Sequence, residues 1–343
     1  GELLHYSLEN EVNFKLLNVP AWNPEHKFTF SKWVSDKSRR VYDKIDFVPY
    51  SGQEDTSPKN VYNSFCKFGA SYIQKEDRVD ISDFTDHIKT NMCNGDEDAA
   101  TWMMNLLSFK FQFPNILPEV AVILKGRQGA GKDYTIDVLE RIMGVDNDYI
   151  HRTSEMKELY GDFNVALKNK LIVQINELEG KDGVAYKEKL KDLITRDRNT
   201  INEKNISQYK LTNFILLFIC SNNLTPIQIP YDDRRYVMLK TGNTNIGNRV
   251  YWTKQHANKN NPVWINSLYS HLLDMDLTGW IPDDLSKQPL TECYLEAKQS
   301  NISPVYKFFK EVNWDDPELF AVPTNNKHKG KHISQSGVLL DKL

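Results

Sequence analysis

The chain has 343 residues and a mass of 39.9 kDa, long enough for about two to three domains of ordinary size. With 40% hydrophobic, 26% charged and 11% aromatic residues and a net charge of -3, it is neither a disordered nor a fibrous chain, and it exerts no global pull on nucleic acid. The longest apolar run, Phe214 to Cys220, has seven residues, far short of the ~18 to 20 that a membrane-spanning helix needs, so no membrane partner is expected.

The four cysteines, Cys66, Cys93, Cys220 and Cys293, stand far apart without a C-x-x-C pair. That usage predicts reduced thiols in a cytoplasmic setting, not a zinc ribbon or a disulfide framework. The chain opens Gly1-Glu2 and its first methionine is Met92, the pattern of an excised part of a longer polypeptide with no signal peptide at its front.

Residues 1–118 read as a mostly helical accessory domain, with Trp22, Trp33, Phe47 and Phe65 scattered among charges. Between Asp96 and Phe109, Ala99, Trp102, Met103, Leu106 and Leu107 recur at helical spacing, and Pro114 and Pro118 close the helix. Residues 119–242 read as α/β. The apolar run Val120 to Leu124 leads into Gly126, Gly129 and Gly131, and then Ile136, Leu139, Ile142 and Met143 recur at helical spacing up to Gly144. Strand, glycine loop and helix follow one another here. Further apolar runs at Leu171 to Ile175, Phe214 to Cys220 and Tyr236 to Leu239 predict buried strands of the same sheet. Residues 243–343 read as a second accessory domain, loop-rich at first, then helical near Trp264 to Leu273 and from Thr291 to Ser300. Its tail holds Lys327, His328, Lys329, Lys331 and His332, either a DNA contact or a solvated end.

The segment Gly126-Arg-Gln-Gly129-Ala130-Gly131-Lys132 matches the phosphate-binding loop up to its last position. Backbone N–H groups freed by the glycines would approach phosphate oxygens, and Lys132 would reach the β- and γ-phosphates of ATP. The Ser or Thr expected to hold Mg2+ is Asp133, which either binds the metal directly or repels the nucleotide. Forty-five residues after Lys132, a strand ends in Asn176-Glu177; Glu177 would polarise the attacking water, and Asn176 stands where a metal-associated aspartate is common. Another forty-five residues on comes Asn222, and twelve later Arg234-Arg235. Asn222 is either a turn residue or a sensor of the γ-phosphate, and the arginine pair either a solvated surface or a finger for a neighbouring subunit. Lys181 to Lys210 holds eight basic and five acidic residues, either a solvated helix face or a nucleic-acid patch.

The order and spacing of these elements resemble the superfamily-three helicases, within them the helicase parts of phage, plasmid and pox-virus-type primase-helicases, and most closely the C-terminal helicase part of a phage primase-polymerase. The resemblance runs from about Val61 to Leu239. It includes Asn60-Val-Tyr-Asn63, His87-Ile88, Cys93-Asn-Gly-Asp96 with Trp102, Gln112-Phe-Pro114, Leu190-Lys-Asp-Leu-Ile194, Asn202-Glu-Lys204 and Leu211-Thr-Asn213. It implies an AAA+-like P-loop ATPase core with ATP and Mg2+ as cofactors, a hexameric ring, single-stranded DNA in its channel, and a covalent N-terminal primase-polymerase half beyond this chain. It implies a setting in the cytoplasm of an infected host cell. It also implies that a hairpin between the second and third motifs lines the channel, with Lys204 near its tip and Lys210 as a further DNA contact. Asp133 and Asn176 depart from the family pattern. Two other readings stay open: a nucleotide-gated scaffold with weak or no ATPase that holds the polymerase half on DNA, and a monomeric nucleotide kinase, which would leave the basic hairpin and Asn222 unexplained.

Overall fold

A computed structural model describes residues 37, 41–52, 55–177, 185–223, 227, 229–230 and 233–300. The tail residues Lys327, His328, Lys329, Lys331 and His332 lie outside them, as does Lys181. The chain divides into two compact units, Gly1–Asp46 with Ser57–Asn63 and Phe47–Thr56 with Ser64–Leu343. In the first, strands β1 (Lys44–Asp46) and β2 (Val61–Asn63) pair in parallel. Asn60 Nδ2 donates to Asp43 Oδ2 at 2.7 Å, and Tyr42 meets Tyr62 edge-on.

The first α-helix described in the second unit is α1 (Ser82–His87), which runs into a π-helical turn at Ile88–Met92. Helix α2 (Glu97–Gln112) follows, capped by Asp96, whose Oδ1 accepts from Ala99 N at 3.0 Å. Then come β3 (Ala121–Lys125), α3 (Lys132–Met143), β4 (Ile150–Thr153), α4 (Met156–Tyr160), β5 (Ile172–Asn176) and α5 (Lys187–Thr195). A hairpin of β6 (Arg198–Ile201) and β7 (Tyr209–Thr212) precedes β8 (Leu216–Ser221) and β9 (Tyr236–Lys240). Helices α6 (Arg249–Lys259), α7 (Pro262–Asp274) and α8 (Glu292–Ser300) complete its described part.

Five strands form one parallel sheet in the order β4-β5-β8-β3-β9. Period-two alternation sends their side chains into two separate cores. Val122 and Leu124 of β3 and Leu216 and Phe218 of β8 pack with α2, α3 and α7, whereas Ala121, Ile123, Leu217 and Ile219 pack with α4, α5 and α8. A parallel strand covered on both faces must be apolar throughout, which is why the runs at β3, β5, β8 and β9 stood out. Lys110 of α2 is wholly buried and donates to Phe214 O at 2.5 Å; burial pushes its ammonium down to about 7.

The structure adds elements to the reading above. Strand β4 has the pattern Ile-His-Arg-Thr because it is an edge strand, buried at its two ends only. Part of the segment expected to be loop-rich after residue 243 is helix α6, whose only wholly buried residue is Gln255, so it shows little apolar periodicity. Among the described residues no helix is long and apolar enough to cross a membrane, and all four cysteines are free thiols.

Candidate functional site

Because the five strands are parallel, their C-terminal ends share one edge, and the glycine loop, Asn176-Glu177 and Asn222 all follow such ends. They surround a cavity of about 440 Å3, lined among others by Gly129, Ala130, Gly131, Lys132, Asp133, Asn176, Glu177 and Asn222. Lys132 Nζ donates to Gly126 O at 2.5 Å, to Arg127 O at 3.3 Å and to Asn222 Oδ1 at 3.1 Å. Burial pulls the Lys132 pKa down, while Cys220, Asp133 and Glu177 push it back up. A partly desolvated ammonium at a helix N-terminus is a strong anchor for an anion.

The loop stands on a floor from distant parts of the chain. Gly131, the left-handed N-cap of α3 at φ 98°, has no room for a side chain: a Cβ there would lie 2.5 Å from Trp252 Cη2 and 2.7 Å from His87 Cε1. Asn91 Nδ2 donates to Ala130 O at 3.0 Å, and Asn91 Oδ1 accepts from Asn245 Nδ2 at 2.8 Å and from Tyr251 Oη at 3.3 Å. His87 is wholly buried, with Nδ1 2.8 Å from Tyr251 Oη and Nε2 3.2 Å from Thr135 Oγ1; burial lowers its pKa to about 3. The π-helical turn that carries Asn91 is a rare geometry often found at functional sites.

Gln174 ties Asp133 to Asn176. Its Nε2 donates to Asp133 Oδ1 at 2.7 Å and to Asn176 Oδ1 at 2.8 Å, and its Oε1 is buried without a partner. Oxygen donors on Asp133, Asn176 and Glu177 around one cavity suit Mg2+, which takes one or two carboxylates plus phosphate oxygens and seldom a full protein cage.

Arg234 and Arg235 precede β9, at the opposite edge of the sheet, since Tyr236 aligns with Ala121 and Lys240 with Lys125. Six and seven strand positions at ~3.3 Å each put Arg235 and Arg234 about 20 Å or more from Gly126 along the sheet. The structure does not bring them to the loop of their own chain. Arg234 is exposed, and Arg235 lies with Nη1 3.8 Å from Asp233 Oδ1. Lys204 stands exposed in the turn between β6 and β7, and Lys210 exposed on β7. Arg198, which pairs across to Thr212, shares the outward face with Lys210.

The sequence by itself gives no role to His87, Asn91, Gln174, Tyr251, Trp252 or His256. Trp252 and His256 line the same cavity, yet they sit on the polar helix α6. The one local signal was Gln174 itself, a polar residue inside an apolar strand.

The described residues therefore define a mixed α/β protein whose parallel five-stranded sheet carries a glycine loop at its C-terminal edge. Residues 124–235 match the model of a family of unknown function, DUF5906. Over 168 residues the chain is 30% identical to the DNA primase-polymerase of Nitratiruptor phage NrS-1, a match that takes in 48% of this chain and 23% of that protein. Two solved apo structures of the NrS-1 C-terminal region, residues 305–718, superpose with a TM-score of 0.58 at 23% and 22% identity, covering 78% of this chain and 63% of theirs. The chain thus resembles the C-terminal part of that phage protein and shares its fold, while spanning less than a quarter of the curated relative.

Proposed function

We propose that this chain is the ATP-dependent, ring-forming DNA helicase or translocase part of a phage replication protein of the primase-polymerase kind, working in the infected host's cytoplasm. The observation that carries the reading is the meeting of Lys132 with Asn222, 3.1 Å apart from two different strand ends, beside Glu177 at the same cavity. Lys132 and the loop N–H groups would hold the phosphates, Glu177 would orient the attacking water, and Asn222 would register the γ-phosphate. Trp252 and His256 offer an aromatic wall to the nucleobase. Magnesium, held by Asp133 with Asn176 beside it, would neutralise charge on the phosphate oxygens.

Arg234 and Arg235, out of reach of their own loop, would serve the site of the next subunit. Such a finger in trans requires a neighbouring subunit, read here as the next in a hexameric ring, and is worth about 10³ to 10⁵ in rate. Lys204, Lys210 and Arg198 would face single-stranded DNA in the channel, where phosphate contacts give affinity without sequence preference. Residues 119–242 would hold the nucleotide chemistry and the flanking segments accessory roles, with α6 lending the floor of the loop. The deciding experiment is ATP hydrolysis with and without single-stranded DNA, on this chain and on Lys132→Ala. DNA-stimulated turnover lost in the variant supports the motor. A folded, assembled chain that binds ATP without turning it over would instead favour a nucleotide-gated scaffold.

A further inference from the structure

The two departures at the loop sit in one hydrogen-bonded unit. Position 133, where a hydroxyl is expected, holds a carboxylate, and position 176, where a carboxylate is expected, holds a neutral amide. Residues 172, 174 and 176 of β5 share the sheet face that packs against α3. On that face the wholly buried Gln174 spends the two protons of one amide nitrogen on Asp133 Oδ1 at 2.7 Å and Asn176 Oδ1 at 2.8 Å.

Resting on the nucleotide reading above, we infer that Asp133 and Asn176 are a transposed pair: the one negative charge that the magnesium position needs has moved from the strand to the helix, and Gln174 holds both side chains in register. The pair carries the same net charge as the hydroxyl and carboxylate of the usual motif. With Oδ1 engaged by Gln174, Asp133 offers Oδ2 to the cation. Asn176, its carbonyl oxygen also engaged, keeps a neutral polar contact where a second carboxylate so close by would repel the first. Gln174 is a positioning residue, acting on the metal through the two side chains it bridges. Its unpartnered Oε1, buried beside them, is a polar atom that an apolar strand retains for a local reason.

The test measures equilibrium binding of a fluorescent, non-hydrolysable ATP analogue to the full chain in Mg2+ and in EDTA. The ratio of the two affinities reports the metal without relying on turnover. Asp133→Ser should lower that ratio at least tenfold with little change in EDTA, and the isosteric Asp133→Asn should do the same if the serine variant folds poorly. The exchange Asp133→Ser with Asn176→Asp should restore the ratio to within about threefold of the parent, the signature of coupled positions. Gln174→Ala should lower it several-fold, and Gln174→Glu further, by adding a like charge. Thermal melting of each variant separates loss of fold from loss of metal. A full magnesium ratio in Asp133→Ser, or a well-folded double variant with no recovery, overturns the transposed pair and leaves the nucleotide reading intact. No analogue binding by the parent chain in either buffer overturns both.

Discussion

On the proposed function the glycine loop and the β6–β7 hairpin would present cations to phosphate in two ways, and they are built oppositely. The loop is assembled from afar: its floor comes from His87 and Asn91 on one side of the sequence and from Tyr251 and Trp252 on the other. The hairpin is local. Among the described residues its strands pair with each other alone, and its foot is tied down by Asn164, which donates to Thr200 O at 2.9 Å and accepts from Asn202 N at 2.8 Å. The Lys168–Glu203 ion pair at 2.8 Å holds the start of the turn, and Lys204 beyond it is exposed. A rigid, converged site suits a ligand of fixed geometry. An exposed cation on a short hairpin suits a polymer whose register changes.

Each half of that contrast can be broken separately. The largest effect is expected from Lys132→Ala, which removes the ammonium at the centre of the loop; nucleotide affinity should fall about 100-fold or more, by ~2.7 kcal/mol. A titration showing parental affinity would remove Lys132 from the site. Next comes Gly131→Ala, which forces a Cβ into Trp252 and His87 at a positive φ. It should destabilise the fold by about 1–3 kcal/mol and weaken nucleotide binding with it, as read by denaturant unfolding and the same titration. Asn91→Ala strips the loop of its tie to the π-helical turn and orphans the Ala130 carbonyl, at a cost of about 1–3 kcal/mol.

The floor also carries a pH signature. The folded pKa of His87, about 3, lies below its unfolded value near 6.5, so on acidification the unfolded chain takes up the proton first. The stability owed to this group is complete above about pH 6.5 and declines toward pH 3 by up to ~1.4 kcal/mol per pH unit. Unfolding free energies from urea melts at pH 7 to 4 should fall accordingly, and His87→Gln should flatten that fall with pH; an identical pH dependence in the variant would deny the buried neutral imidazole its role. The smallest effect belongs to the hairpin. Lys204→Ala should leave the fold within about 0.5 kcal/mol of the parent and reduce the salt slope of single-stranded DNA binding by about 1. An unchanged slope would take Lys204 out of the DNA path.

The difference between the two regions also explains what could be read from the sequence. Strands β3, β5, β8 and β9 were legible because burial on both faces leaves unbroken apolar runs, and Lys132, Asn176, Glu177 and Asn222 were legible because each follows such a run. Helix α6 escaped because it lies along the surface and serves the loop with Tyr251, Trp252 and His256, not a core with leucines. The Gln174 bridge was invisible for another reason: it joins residues forty-one positions apart, and nothing in a short window of sequence encodes that meeting.

The floor beneath Gly131 has a consequence in time. During synthesis the ribosome releases residues 126 to 132 well before residues 251 and 252 exist, and α6 must then return across more than a hundred residues to close under the loop. Contacts of such sequence separation form late. A chain stalled before Tyr251 would display the whole glycine motif without its support, so the nucleotide binding proposed for this loop should mark the end of folding and not its beginning.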